Sequence, residues 1–309
     1  MQRVLGPRAS TACTRKSRPE RETSYVVRAT LIASAALTSF ATALIASPRV
    51  IAAESTVASA PETVVVPDGS LTLHALMWRP EGNGPFPAVL FNHGSGPNPE
   101  PEKPAALGPV FARYGYAFLF LYRRGSGLSS DQGKSAEELM NAEQAAHGEE
   151  ARYRLQLRLL DEHLGDAFAG LAFLRTRPDV DPKRIAVAGH SFGGMLALLM
   201  VERDNTLRAA VDFAGAANSW AESDELRARL MAAVEKTTVP VFFIHAENDY
   251  SIAPGEVLAN VMLGLDKSRR IEIYPETGQS MDDGHNFVYL GVPVWESDVF
   301  AFLDGLMRN

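Results

Sequence analysis

The sequence predicts an α/β fold: a mainly parallel central sheet, opened by an antiparallel hairpin and covered by helices on both faces. Three observations carry this expectation. From Thr63 onward, short β-branched runs alternate with longer helical ones, as parallel strands joined by crossover helices require. The runs 87–92 and 116–122 are apolar almost throughout and each ends at a Gly-containing turn, as strands buried on both faces should. The opening differs, because Thr63 to Val66, Pro67-Asp68-Gly69 and Ser70 to Trp78 read as two strands joined by a turn in which glycine takes positive φ.

The elements follow in order. Pro87 to Asn92 is a central strand ending at His93-Gly94-Ser95-Gly96, and Tyr116 to Tyr122 repeats the arrangement, ending at Arg123-Arg124-Gly125-Ser126-Gly127. Residues 129–157 interrupt the rhythm with a polar, Glu/Gln/Ala-rich stretch before an apolar helix over Leu159 to Leu174. The expectation there is a helical insertion over the carboxyl edge of the sheet, serving either as a partial lid or as a solvated helix. Arg184 to Gly189, Ala209 to Phe213, Val239 to His245 and Arg270 to Tyr274 complete the strands.

The first 53 of the 309 residues differ in kind, holding eight Lys/Arg against two acids. No charge falls between Ala29 and Ala46, and Val50-Ile51-Ala52-Ala53 follows with small residues. This is the three-part pattern of a secretory signal peptide, with an uncleaved anchor over 29–46 as the alternative. The expected location is exported, periplasmic or secreted, with 54–309 as the catalytic domain. That remainder holds 22 Lys/Arg and 35 Asp/Glu, a net charge of about −13, which disfavours nucleic acid and anionic membranes as partners. The one cysteine, Cys13, lies in the leader, so the mature domain has no disulfide and no thiolate nucleophile or metal site.

The chemistry concentrates at Gly189-His190-Ser191-Phe192-Gly193, which directly follows an apolar strand and opens the helical run Gly194 to Met200. Strand, sharp turn and helix are the setting of a nucleophile elbow. The turn forces Ser191 into strained backbone angles, and the flanking glycines remove side chains that would collide with neighbouring backbone.

With His93-Gly94-Ser95-Gly96, Asp181-Pro182-Lys183-Arg184-Ile185, Gly189 to Gly194 and Glu247-Asn248-Asp249, the chain resembles the α/β-hydrolase superfamily from about Thr63 to Asn309. Within it, the chain looks most like dienelactone hydrolases and prolyl-oligopeptidase-type serine hydrolases. The named dienelactone hydrolases use a cysteine nucleophile where this chain has Ser191, so lactone opening is not carried over. The roughly ten residues between leader and first strand hold no propeller of the prolyl-oligopeptidase kind.

The resemblance implies a triad in the order Ser, acid, His. Only His245 and His285 follow Ser191. His245 closes a strand and is read as structural, while His285, in the Gly/Asp-rich run Asp282-Asp283-Gly284-His285, is the expected base in a loop. For the acid, Glu247 and Asp249 compete. Asp249 is preferred because it lies deeper in its loop with the Pro254 helix start just beyond; Asp212 is the lesser alternative, and Asp282 and Asp283 are taken as surface charges. The N–H groups of Phe192 and Ser95 are the expected oxyanion donors. His93 is read as structural, and Arg124 as a loop brace ahead of a holder of a substrate carboxylate.

The expected activity is hydrolysis of small carboxylic esters through an acyl-enzyme, with no metal or organic cofactor required. A peptidase of the same fold acting on short peptides, and a non-catalytic binding protein, are the rival expectations.

Overall fold

The computed structural model describes residues 60–98 and 100–308; the leader expected over 1–53 lies outside them. The chain opens with β1 (Glu62–Asp68) and β2 (Leu71–Trp78), an antiparallel hairpin closed at Gly69, whose φ is +57°. Then come β3 (Phe86–Asn92), α1 (Glu102–Arg113), β4 (Ala117–Tyr122) and a 3-10 helix (Gly127–Gln132). Next are α2 (Ala136–His147), α3 (Glu149–Thr176), β5 (Val180–His190), α4 (Phe192–Arg203), β6 (Ala210–Phe213) and α5 (Asp224–Lys236). The chain finishes with β7 (Val241–Ala246), α6 (Ala253–Gly264), β8 (Arg269–Tyr274), α7 (Met281–His285), α8 (Phe287–Leu290) and α9 (Val292–Met307).

One eight-stranded sheet runs in the order β1-β2-β4-β3-β5-β6-β7-β8, antiparallel from β1 to β4 and parallel from β4 to β8. Side chains along a strand alternate between faces, and the core divides accordingly. Leu90, Leu119 and Leu121 join one hydrophobic cluster with Leu164 and Leu171 of α3, Leu196 of α4 and Leu230 of α5. Phe91, Phe118 and Phe120 join another with Phe111 of α1 and Trp295 and Phe300 of α9. On that second face the Phe111 and Phe118 rings stack at 4.5 Å, and Phe111 meets Phe300 edge-on at 5.0 Å. Both faces of the sheet are thus covered by helices.

Residues 129–157 hold the later part of the 3-10 helix, α2 and the start of α3. Ser135 caps α2 through a reciprocal capping box with Glu138, which satisfies amide groups that would otherwise be left without partners. After β3 the chain turns to β4 on one side, whereas β5 lies on β3's other flank. A crevice opens where strand order reverses this way, at the carboxyl ends of the strands. Among the described residues, no helix is long and apolar enough to cross a membrane.

Candidate active site

Ser191 sits between β5 and α4 with φ 55° and ψ −115°. Its own N–H holds the turn by donating to Phe213 O at 2.8 Å. A Cβ at position 189 would lie 2.0 Å from Gly193 O, and one at 193 would lie 1.9 Å from Asn92 O. Both obstacles are backbone atoms, so glycine is required at both positions for the elbow to close against the end of β3.

His285 Nε2 lies 2.9 Å from Ser191 Oγ, and its Nδ1 lies 2.7 Å from Asp249 Oδ1. A carboxylate can only accept, so the ring proton resides on Nδ1 and the Nε2 lone pair faces the serine hydroxyl. The structure therefore brings together Ser191, His285 and Asp249 in one hydrogen-bonded line. His285 and Asp249 are both buried.

The structure departs from the sequence-based expectation at His285 and adds contacts for Asp283, Asp282 and His245. His285 does not lie in a loop: it ends the short helix α7, because Ser280 and Asp283 form a second capping box. Asp283 thus completes the cap, begun by Ser280, of the element that carries His285, and Asp282, exposed, accepts a hydrogen bond from the Tyr250 hydroxyl. His245, though structural in position, donates from Nδ1 to the second oxygen of Asp249 at 2.8 Å. Both carboxylate oxygens are occupied, since Oδ1 also accepts the Tyr250 N–H at 2.8 Å. Burial pushes the Asp249 carboxyl up, but the bonds from His245 and His285 outweigh it and hold the pKa below the ordinary value.

The other acid candidates stay apart from His285. Glu247 is exposed. Asp212, opposite Gly189 across the β5–β6 ladder, is buried with Oδ1 unpartnered among the described residues, and burial pushes its pKa up to about 7.

Two residues inside the runs that carry the resemblance, Asn248 and His190, position the site without having been given a role by those runs. Asn248 donates to Thr277 O at 2.9 Å and to Ser280 O at 2.8 Å, and accepts from Thr277 N–H. It thereby ties the Asp249 loop to the His285 segment. His190 donates from Nε2 to His285 O at 2.8 Å; burial and then the neighbouring His285 ring bring its pKa down to about 3, so it stays neutral.

The Ser95 and Phe192 N–H groups have no hydrogen-bond partner among the described residues. Both residues line a cavity of about 60 Å³ with Ser191, walled by Met140 of α2 and by Arg152, Tyr153 and Gln156 of α3. Ser95 O accepts from Glu137 N–H at 3.0 Å, anchoring its loop to the start of α2. Arg124 braces its loop, paired with the buried Asp166 through Nη2 at 2.5 Å and Nε at 2.9 Å. His93 is buried and neutral, because burial and then the adjacent Arg123 hold its pKa far below the usual value. Among the described residues, no cluster of three or more His, Cys, Asp or Glu could hold a metal ion.

The family model "Dienelactone hydrolase family" matches residues 73–288. Esterase EstD of Thermotoga maritima is 33% identical over 126 residues, which is 40% of this chain and 26% of that protein. Among solved structures, acylaminoacyl peptidase of Pyrococcus horikoshii superposes with TM-score 0.57 at 18% identity, covering 81% of this chain and 42% of that one. Dienelactone hydrolase of Anabaena variabilis superposes with TM-score 0.54 at 19% identity, covering 81% and 98%. The chain thus spans about a quarter of the esterase's length and under half of the peptidase's. The structural likenesses establish a shared α/β-hydrolase fold.

Proposed function

The chain belongs to the dienelactone hydrolase family, and on that premise we propose that it is a serine hydrolase cleaving carboxylic ester bonds of small substrates through a Ser191-His285-Asp249 triad. The observation that carries this reading is the unbroken line from Ser191 Oγ to Asp249, at 2.9 and 2.7 Å, beside two backbone N–H groups without partners among the described residues.

In the proposed reaction His285 Nε2 takes the Ser191 proton as Oγ attacks the ester carbonyl. The carbonyl π pair moves onto oxygen, where the Ser95 and Phe192 N–H groups receive it. His285 then returns the proton to the departing alkoxide, and the acyl-enzyme remains. Water, deprotonated by His285, attacks the acyl carbon to form a second oxyanion in the same place, which collapses with cleavage of the bond to Oγ as His285 returns the proton to Ser191 and the free acid leaves. Asp249 keeps its charge throughout and favours the imidazolium form of His285. The walls contributed by α2 and α3 limit the space beside Ser191, which favours short acyl groups. Export guided by residues 1–53 is part of the proposal; amino-terminal sequencing of protein recovered from the periplasm or medium tests it.

Fluorophosphonate labelling with peptide mapping, run beside turnover of p-nitrophenyl acetate and aminoacyl-p-nitroanilides, tests the reading. Label on Ser191, abolished in His285→Ala, with ester but not anilide cleavage is the expected result. Label on another serine refutes the nucleophile. Anilide cleavage in preference to ester favours the peptidase, and equal, negligible turnover by wild type and Ser191→Ala favours a binding protein.

A further inference from the structure

Arg123 is wholly buried and makes no ion pair among the described residues. Burial lowers its pKa only to about 10, so it is a cation at neutral pH. Its guanidinium is held by neutral groups. Nη2 donates to His93 O at 2.8 Å and to Gly94 O at 2.9 Å, and Nε donates to His163 Nδ1 at 3.3 Å.

An unpaired internal charge is costly, so its placement calls for a physical account. Gly94 O belongs to the same peptide unit as the Ser95 N–H. A hydrogen bond donated to a peptide oxygen draws electron density toward that oxygen and leaves the N–H on the far side more positive. His93 packs into the same network: its Nε2 accepts the Arg123 backbone N–H at 3.2 Å, and its Nδ1 lies 2.8 Å from Gly94 O, 2.9 Å from Asn98 Nδ2 and 3.3 Å from Arg123 Nη2. The Gly94 carbonyl thus accepts a bond from a charged donor. The guanidinium also lies over the Phe192 ring at 5.7 Å, and the His163 ring meets that ring edge-on at 5.4 Å. Phe192 supplies the other N–H without a partner among the described residues, so one buried cation touches the residue or peptide that carries each donor.

We propose that Arg123 is a positioning residue of the oxyanion site, polarising the Ser95 N–H through the Gly94–Ser95 peptide and placing a fixed positive charge beneath the oxygen that becomes negative. This rests on the function proposed above. Charge that develops only in the transition state is what such an arrangement favours, so the ground-state complex gains little from it.

The test compares wild type, Ser191→Ala, Arg123→Lys and Arg123→Gln, with active sites counted by fluorophosphonate titration so that misfolded protein does not enter kcat. Turnover of p-nitrophenyl acetate is measured alongside inhibition by an aryl trifluoromethyl ketone, whose adduct with Ser191 carries the tetrahedral oxyanion. Arg123→Gln is expected to lower kcat per titrated site by about tenfold to a hundredfold with KM within about twofold. Its ketone affinity should fall by the same factor as kcat/KM, with Arg123→Lys between it and wild type. Unchanged kcat per site overturns the inference, as does a loss of kcat with undiminished ketone affinity. If Arg123→Gln does not fold, Arg123→Lys decides alone, because lysine keeps the charge but not the forked donor: parallel losses in kcat and ketone affinity support the inference, and wild-type values overturn it. Wild-type turnover absent or independent of Ser191 refutes instead the function on which the inference rests.

Discussion

Alanine at position 193 should cost both stability and activity, and the geometry sets the scale. Its Cβ would lie 1.9 Å from Asn92 O, 2.4 Å from Asn92 C and 2.5 Å from His93 O. All three are main-chain atoms at the end of β3, so no side chain can swing away. Restoring ordinary contact requires the elbow and the β3 end to separate by roughly 1 Å or more. Overpacking of this kind costs about 1–3 kcal/mol. The same separation carries the Phe192 N–H away from Ser95, whose loop begins at the displaced strand end. A misplacement of ~1 Å at reacting groups can lower turnover by about a hundredfold. Urea denaturation followed by circular dichroism gives the first quantity, and p-nitrophenyl acetate hydrolysis by the folded fraction gives the second. Gly193→Ala with wild-type midpoint and wild-type kcat would refute the reasoning, since the backbone would then have accommodated a carbon atom for which it has no room.

Two further outcomes follow from the buried carboxylates. Asp212 titrates near 7 when folded, above its ordinary value of 3.8, so the folded state holds that proton more tightly than the unfolded chain. Stability from this group is complete below about pH 4 and is lost as pH rises toward 7, by about 4 kcal/mol at most. Asp212→Asn, which mimics the neutral acid, should flatten that slope in urea titrations between about pH 4 and 8 and be the more stable protein at pH 8; parallel curves for the two proteins would contradict this. His245→Phe removes one donor from the buried Asp249 carboxylate, and a destabilisation of about 1–3 kcal/mol is expected. The Asp249 pKa should rise with the loss of that bond, so the variant should lose less of its remaining stability than wild type does as pH falls through the acid range; urea titrations of equal acid slope would mean that His245 does not support the charge.

What could be read from the sequence was what local rules govern. The apolar runs at 87–92 and 116–122 had to be buried strands, and Gly189 to Gly193 could join strand to helix only by a tight elbow. The chain order of the resembling superfamily then left few partners for Ser191. The environment of those partners was harder to read. Ser280 and Asp283 spell a capping box, yet the glycine and acids around them predict a loop, and the short helix shows only in the structure. The β5 strand begins at Val180 rather than Arg184, because Val180 still pairs with Phe86 across a register shift that Pro182 masked. Arg123 gave no signal at all. Nothing in Arg123-Arg124 says that one arginine meets an aspartate while the other is enclosed among carbonyls and imidazoles; that depends on His93 and His163, which only the fold brings near.

Asp249 gives one oxygen to each of two histidines, and its backbone is fixed by a bond from its own N–H to Ala246 O at 3.0 Å. Rotating the carboxyl group would break both histidine contacts at once, so its orientational freedom is surrendered on folding rather than during turnover. In the proposed reaction, a proton arriving on the His285 ring would find the counter-charge already in place, with the Asp249 carboxylate held by its two histidine contacts. On that reading, the groups left to adjust are the imidazole and the serine oxygen.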